Sequence, residues 1–568
     1  MNQLINQIRS LTFNQYFFFL IILGYLPIFL FGYFIQDDFG VVSLHNKESI
    51  DALKYICSVN NNRPLSCVYH AFLTRLPSIF QFYFCFTLLL YIFFIFNVVK
   101  IFDFIIDDIF LKKLFITFLI FPFFSYTVLY SPAMQSMGVF ALVLWSISLL
   151  LLKQFITNNS KTYLFFSYLF ILLMLLTYES PAPLLGLSIF FPLFFKKKIK
   201  LFYINFLIII FLCILMLFIQ KSFFPKIFNV DLSRMKIGIN EYKKIAYLIS
   251  INLLLTINII FYSVEIALRV FLNFFKNINY LTLFQISLII FVFYKNFYFI
   301  NFYKKNKNNK YLLLIIFLVF FSVLFLNAAM HALANTGLEF TQYNNRALVS
   351  VSFIFSLTIV LVYKLVNFNN RKLFNFILIC LFSVPIVNFI YFQNNLIKER
   401  FYAQYIYNEF LKSNKSESKT NNINFILGQN RYFIDYILSY NSFDYFNYLN
   451  PNLSVIFLSE QKFCNINYYD EYIKTPYLHN SDNSISVYNF EKFPYGYTHV
   501  IHMKNVDSIK FRDEISKIIK CNYKKISNVM SKELDKNVYI DSKHDGYFLK
   551  IAKYFYFKFY EREITNIR

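Results

Sequence analysis

Glycine is scarce in this chain, with ten in 568 residues, and alanine is scarce with it. Lysine, asparagine, isoleucine, phenylalanine and tyrosine are inflated together, as an A/T-rich coding background would do. The formal charge of +24, from 55 basic and 31 acidic residues, is therefore weak evidence about partners. No nucleic-acid-binding motif accompanies it, and nucleic acid is excluded as the partner. Histidine and cysteine number seven each and nowhere stand at metal-ligand spacing. No internal repeat is visible, and charge is almost missing from the long apolar runs. Both observations speak against a transporter, which places charges near the bilayer midplane and is often built from repeats.

What is abundant is apolar sequence. Hydrophobic residues make up 58% of the chain, in runs near 20 residues that recur from Tyr16 to Phe392, each long enough to cross a bilayer. Backbone groups in lipid must be satisfied within the segment, so these runs are expected to be helices. Candidate spans lie at about 16–35, 79–99, 112–130, 135–152, 162–177, 181–195, 201–219, 279–300, 311–329, 347–365 and 373–392. The first lacks a small-residue cleavage site and reads as a retained helix. With the N-terminus inside, Lys100, Lys112, Lys113, Lys153, Lys161, the cluster Lys196–Lys200, Lys304–Lys310, Arg371 and Lys372 all fall in the cytoplasm, as basic loops should. The stretch Ile245–Phe275 is apolar too. Glu265 and Arg269 interrupt it, and it is expected to lie on or dip into the outer leaflet as helices with an even number of crossings.

Beyond Phe392 no span-length apolar run remains. Ile423–Leu427 and Ser454–Leu458 read as strands and Val506–Ile519 as a helix. The expected fold is thus an all-α polytopic membrane protein of about eleven spans, residues 1–392, followed by a soluble α/β domain, residues 393–568, on the outer side. Four of the seven cysteines fall in predicted outer regions, Cys57 and Cys67 in the first loop and Cys464 and Cys521 in the terminal domain. They are either two disulfides or four free thiols.

The polar residues of the outer side form the candidate site. Asp37 and Asp38 stand side by side just past the first span, where carboxylates are costly to keep without a use; the alternative is two solvated loop acids. The first outer loop adds Arg63 and His70, with two segments of helical periodicity, Ser49–Cys57 and Leu65–Leu76, expected to lie on the membrane surface. Gln135 belongs to the next outer hairpin, Tyr178 and Glu179 to a third, and His331, Tyr343 and Arg346 to the loop before the tenth span. Sugar transfer from a lipid phosphate needs a carboxylate to take the acceptor proton and donors to stabilise the leaving phosphate, a task suited to arginine's fork.

The order of these features resembles the GT-C glycosyltransferases, most of all the bacterial family that includes phage-encoded O-antigen glucosyltransferases. The likeness rests on Asp37-Asp38 after the first span, Asn62-Arg63-Pro64-Leu65-Ser66, Tyr178-Glu179-Ser180, and Tyr343 with Arg346 heading a late span, and it covers residues 10–392. The chain departs from it in having no glycine before Arg63. The resemblance implies an inverting hexosyltransferase in the bacterial cytoplasmic membrane. Its partners would be a polyprenyl-phosphate sugar donor, a lipid-linked or surface glycan acceptor such as lipopolysaccharide O-antigen, and membrane lipids. Asp37 or Asp38 would be the base. Arg346, Arg63 and Tyr343 would bind donor phosphate, and Glu179, Tyr178 and Gln135 the acceptor. Arg346 and Arg63 have an alternative as interface anchors, and Glu179 as a plain loop acid. The resemblance fixes no cofactor, and a divalent metal stays open because GT-C enzymes differ in metal use. The rival readings are a lipid-linked-glycan flippase or transporter and an O-antigen polymerase.

Overall fold

The computed structural model describes residues 12–34, 37–42, 57, 63–77, 79–123, 132–195, 198–220, 242–274, 285–289, 310–333, 348–365, 383–393 and 397, and four strands between 423 and 504; the side chains of Asp37 and Gln135 are not among those described. By backbone proximity the chain divides into two units. The first comprises Met1–Leu30, Leu44–Asn394 and Asp545–Arg568, the second Phe31–Ser43 and Asn395–His544.

The first unit is helical. Its elements are α1 (Phe13–Phe31), α3 (Pro64–Leu73), α4 (Phe80–Phe102), α5 (Ile109–Ile120), α6 (Pro132–Asn158), α7 (Lys161–Thr177), α8 (Leu185–Phe190, flanked by 3-10 turns Ala182–Leu184 and Phe191–Phe194), α9 (Ile199–Phe218), α10 (Tyr242–Phe274), α11 (Lys310–Leu333) and α12 (Val349–Leu365). The label α2 is kept for Asp37–Val42 of the second unit. Among the described residues six helical stretches are long and apolar enough to cross a membrane: Phe13–Phe31, Phe80–Phe102, Ser136–Asn158, Ile199–Phe218, Leu248–Glu265 and Tyr311–Ala332. The chain is a helical, membrane-embedded protein.

Several helices are inside out relative to a water-soluble protein. On α10, Asn252, Thr256 and Ser263 are buried while Leu254, Phe261 and Leu268 are exposed. On α9, Asn205 is buried and Leu207, Phe211, Ile214 and Phe218 face out. On α3 the buried stripe is Ser66, Cys67, His70 and Leu73, and Val68 and Phe72 point away. A polar face turned to protein and an apolar face turned out suits lipid as the surrounding solvent. The expected surface helix at Leu65–Leu76 is thus α3. Of its expected companion at Ser49–Cys57, only Cys57 is among the described residues.

Hydrogen bonds show the direction of each helix. Thr87 Oγ1 donates to Pro132 O at 2.9 Å, Asn97 Nδ2 to Ser146 Oγ at 3.0 Å, and Lys153 Nζ to Lys100 O at 2.7 Å, so α4 and α6 run parallel. Ser148 meets Ser167 at 3.2 Å, making α7 antiparallel to α6. Phe191 packs edge-on against Phe102, Asn205 Nδ2 reaches Ser188 O, and Tyr311 Oη reaches Leu193 O at 3.4 Å. Ser350 Oγ donates to Ser180 O at 2.9 Å, and Lys364 Nζ donates to Asp107 Oδ1 at 2.6 Å. The bundle therefore has an Arg63 end, where α4, α6, α8 and α12 begin and α7 finishes, and a Lys364 end.

Among the described residues ion pairs stand at both ends. At the Lys364 end Lys153 pairs with Asp103 and Lys364 with Asp107, while Asp108 caps α5 through Phe110 N at 2.6 Å. Burial alone would raise the Asp107 carboxyl, but the hydrogen bond and charge of Lys364, with backbone donors, outweigh it and hold it below the usual carboxylate range. A carboxylate depressed in the fold adds stability that is present above its unfolded pKa and is lost as the pH falls through the folded value.

Residues 242–274 differ from expectation. They form one continuous helix, α10, about 50 Å long at 1.5 Å per residue, in place of the several leaflet helices expected. Glu265 and Arg269 do not break it, because opposite charges four apart support a helix and Glu265 only closes the apolar window Leu248–Glu265. Of the expected spans at 279–300 and 373–392, only 285–289 and 383–392 are described, both helical.

Cys57 and Cys67 form a disulfide with Cα atoms 4.9 Å apart; Cys464 and Cys521 lie outside the described residues. Cross-links over loops of this size, ten residues of separation here, add roughly 2–3 kcal/mol. Peptide mapping without reductant should recover Cys57 joined to Cys67, and Cys57→Ser should lower the unfolding temperature. Alkylation of both thiols in the native protein would contradict the bond.

In the second unit, β1 (Ile423–Gly428), β2 (Ser454–Ser459), β3 (Ser484–Asn489) and β4 (Tyr497–Lys504) form a mixed sheet of order β2-β1-β4-β3. β1 pairs in parallel with β2, Ile423 opposite Ser454, and antiparallel with β4, which also pairs antiparallel with β3. The parallel pair needs a crossover connection. The expected helix at 506–519 lies outside the described residues.

Candidate functional site

Two sequence motifs 116 residues apart meet at the Arg63 end. Pro64 occupies the first turn of α3, where its missing N–H costs nothing, and this leaves Arg63 at the N-cap, with its carbonyl accepting from Cys67 N at 3.2 Å. The disulfide ties the same Cys67 to Cys57. On the other side, α7 ends at Tyr178, which turns to extended backbone and whose N–H still reaches Met174 O. Glu179 follows in the turn, with its carbonyl accepting from Ala182 N at 2.8 Å. Pro181 then starts the 3-10 turn, and Ser350 from α12 holds Ser180 O. Four elements thus converge on this short turn.

The guanidinium of Arg63 grips Glu179 with two donors, Nε to Oε2 at 2.6 Å and Nη2 to Oε1. Its carbon lies 4.6 Å from the centre of the Tyr178 ring, a cation–π contact. Arg63 is 26% exposed and Glu179 41%, so the pair is neither a solvated surface bridge nor a sealed one. Two parallel charge-assisted bonds specify geometry as well as adding energy. This is a pre-positioned cation and anion at the rim of a membrane bundle, able to recognise a polar group that carries both an acceptor and donors, such as a phosphate beside a hydroxyl.

The other expected residues fall as follows. Asp37 and Asp38 open α2, where acids favour the helix N-terminus. Asp38 is fully buried and partnered, which rules out a solvated loop acid at that position. Gln135 lies in the first turn of α6, without a described side chain. Tyr343 and Arg346 lie outside the described residues. His70 is buried on α3 and His331 stands in the last turn of α11. Among the described residues no group of three His, Cys, Asp or Glu side chains is placed to hold a metal. One contributor was missed from sequence: Ser350, which holds the Ser180 carbonyl; Ser66, already within the Arg63 motif, reaches Met137 Sδ through its hydroxyl at 2.9 Å. The available signal was a hydroxyl inside an apolar run, Val349-Ser350-Val351-Ser352, since such groups bind across helices. Comparison of the chain with protein-family models, with curated proteins and with solved structures finds no match.

Proposed function

We propose that this chain is an inverting membrane glycosyltransferase of the GT-C kind. It would move a hexose, with glucose the first candidate, from a polyprenyl-phosphate donor to a surface glycan such as O-antigen on the outer side of a bacterial cytoplasmic membrane. The observation that carries this reading is the bidentate contact of Arg63 with Glu179, because it joins two of the motifs on which the resemblance rests. In the proposed reaction the acceptor oxygen attacks the anomeric carbon as the bond to the phosphate oxygen breaks. The electron pair leaves with the phosphate, and the acceptor proton passes to Asp37 or Asp38 as base. Arg63, with Arg346 and Tyr343, would answer the charge that builds on the leaving phosphate. Glu179, Tyr178 and Gln135 would hold the acceptor.

The proposed topology has eleven spans, the Arg63 end outside, and residues 393–568 as an outer soluble α/β domain. The Cys57–Cys67 disulfide supports an oxidising side for the Arg63 end. Lys100, Lys153 and Lys161 belong to the opposite end, as the positive-inside rule expects.

The test is the surface glycan composition of cells with and without the chain, alongside a reporter fused after Asn395. Loss of one sugar substituent, with a reporter active only in the form that works outside, is the expected pair of results. Loss of glycan chain length would indicate a polymerase, and build-up of lipid-linked precursor inside would indicate a flippase; either would overturn the transferase.

A further inference from the structure

Arg63 stands inside a covalently closed loop, because the Cys57–Cys67 disulfide spans it. Its position in α3 makes that closure matter. Serine, threonine, aspartate or asparagine at an N-cap accepts a hydrogen bond from the first free N–H groups. An arginine carries donors only, and Arg63 leaves α3 without a side-chain cap. α3 is ten residues long, too short to hold by helix propensity alone. Its first turn is the part most ready to fray, and Arg63 is carried on that turn.

The disulfide acts on the same turn. Cys67 donates its N–H to Arg63 O at 3.2 Å, and its Sγ lies against Pro64 O at 3.1 Å. Cys57 and Cys67 are 0% and 1% exposed, so the cross-link anchors the turn within packed protein. The fork of Arg63 needs such an anchor. It meets both Glu179 oxygens while its carbon lies 4.6 Å from the Tyr178 ring centre, and a constellation of this kind works only when held to within about 0.5 Å.

We propose that Cys57 and Cys67 are positioning residues for Arg63, and that forming their bond is the maturation step that assembles the Arg63–Glu179 contact. In that step the thiolate of one cysteine attacks the disulfide of an oxidising dithiol protein, and one sulfur of that partner leaves as a thiolate. The second cysteine then attacks the mixed disulfide, and the partner departs as a dithiol with the two electrons. Both sulfurs are buried in the finished fold, so the exchange precedes the docking of α3. Arg63 is held in place only where the surroundings are oxidising. The inference rests on the sugar-transfer reading for the task given to Arg63, and adds the condition under which that site forms.

The test is the rate at which hydroxyphenylglyoxal modifies Arg63 in the full chain in nanodiscs, read by peptide mass. Glu179→Ala should speed the reaction about five-fold or more over wild type, the scale of one hydrogen bond to a charged group. Cys57→Ser combined with Cys67→Ser should speed it equally and add nothing to Glu179→Ala. Arg75, exposed beyond the other end of α3, should react at its wild-type rate throughout. Sugar transfer by the same preparations should fall as far with the cysteine pair as with Glu179→Ala. If the cysteine pair leaves Arg63 at its wild-type rate, the inference falls while the transferase reading stands. If Arg75 accelerates together with Arg63, the bond supports the whole helix and the positioning role falls. If labelling follows the expectation and wild type transfers no sugar, the transferase reading falls and the positioning role stands.

Discussion

Asp37→Asn and Asp38→Asn should give unequal losses of sugar transfer. The two acids are neighbours at the start of α2, successive positions of a helix are about 100° apart around its axis, and one acceptor hydroxyl is expected to meet only one of them. Asparagine keeps the size and removes the basicity. At the base the rate should fall on the order of 100-fold or more, equivalent to about 2.7 kcal/mol in the barrier. Asp38 is fully enclosed and partnered, so Asp38→Asn should lower the unfolding temperature as well, and its activity must be measured per folded protein. If both variants and the double variant transfer at the wild-type rate, the acidic pair has no part in the chemistry.

The second large effect should come from breaking the Arg63–Glu179 contact. Arg63→Ala and Glu179→Ala each remove hydrogen bonds to a charged partner, worth about 1–3 kcal/mol, and each should slow transfer by roughly ten-fold or more on that scale. The two residues touch, so the double variant should be little worse than the worse single one. Arg63→Lys should not rescue, because an ammonium lacks the planar fork that spans both carboxylate oxygens. Independent, additive losses would mean that the residues serve separate partners and that their contact is incidental.

Glu179 shows what was legible before the fold was seen. Its place beside Tyr178 in a hairpin between two apolar runs marked it as an outer polar residue, and Arg63 was marked the same way by Pro64 after it. Nothing in either motif says that one is the other's partner, because a contact across 116 positions depends on how α3 and α7 are placed on the bundle. Asn327 is the sharper case. As a letter at the end of an apolar run it looks like any loop-adjacent polar residue. Only the fold shows that it is fully buried with neither amide atom hydrogen-bonded. α10 differs for a local reason: Glu265 and Arg269, at helical spacing, read as the polar stripe of several leaflet helices, and the same spacing of four is compatible with one long helix.

The sequence by itself determined the solvent of this protein. Apolar runs of bilayer length, few charges within them and lysines between them leave helices in lipid as the physical option, because each backbone group must find its partner inside its own segment. It also grouped Lys100 and Lys153 in loops of one side, and these two lie together at the Lys364 end. The tertiary structure alone decided which polar residues meet. Side-chain pairing depends on helix rotation and level, and these are set by close contacts such as Gly186 against Ser322 and by struts such as Asn252 to Ala328. Hydropathy does not encode those contacts, because in lipid two apolar helices gain nothing from merely being apolar and settle on shape and hydrogen bonds instead.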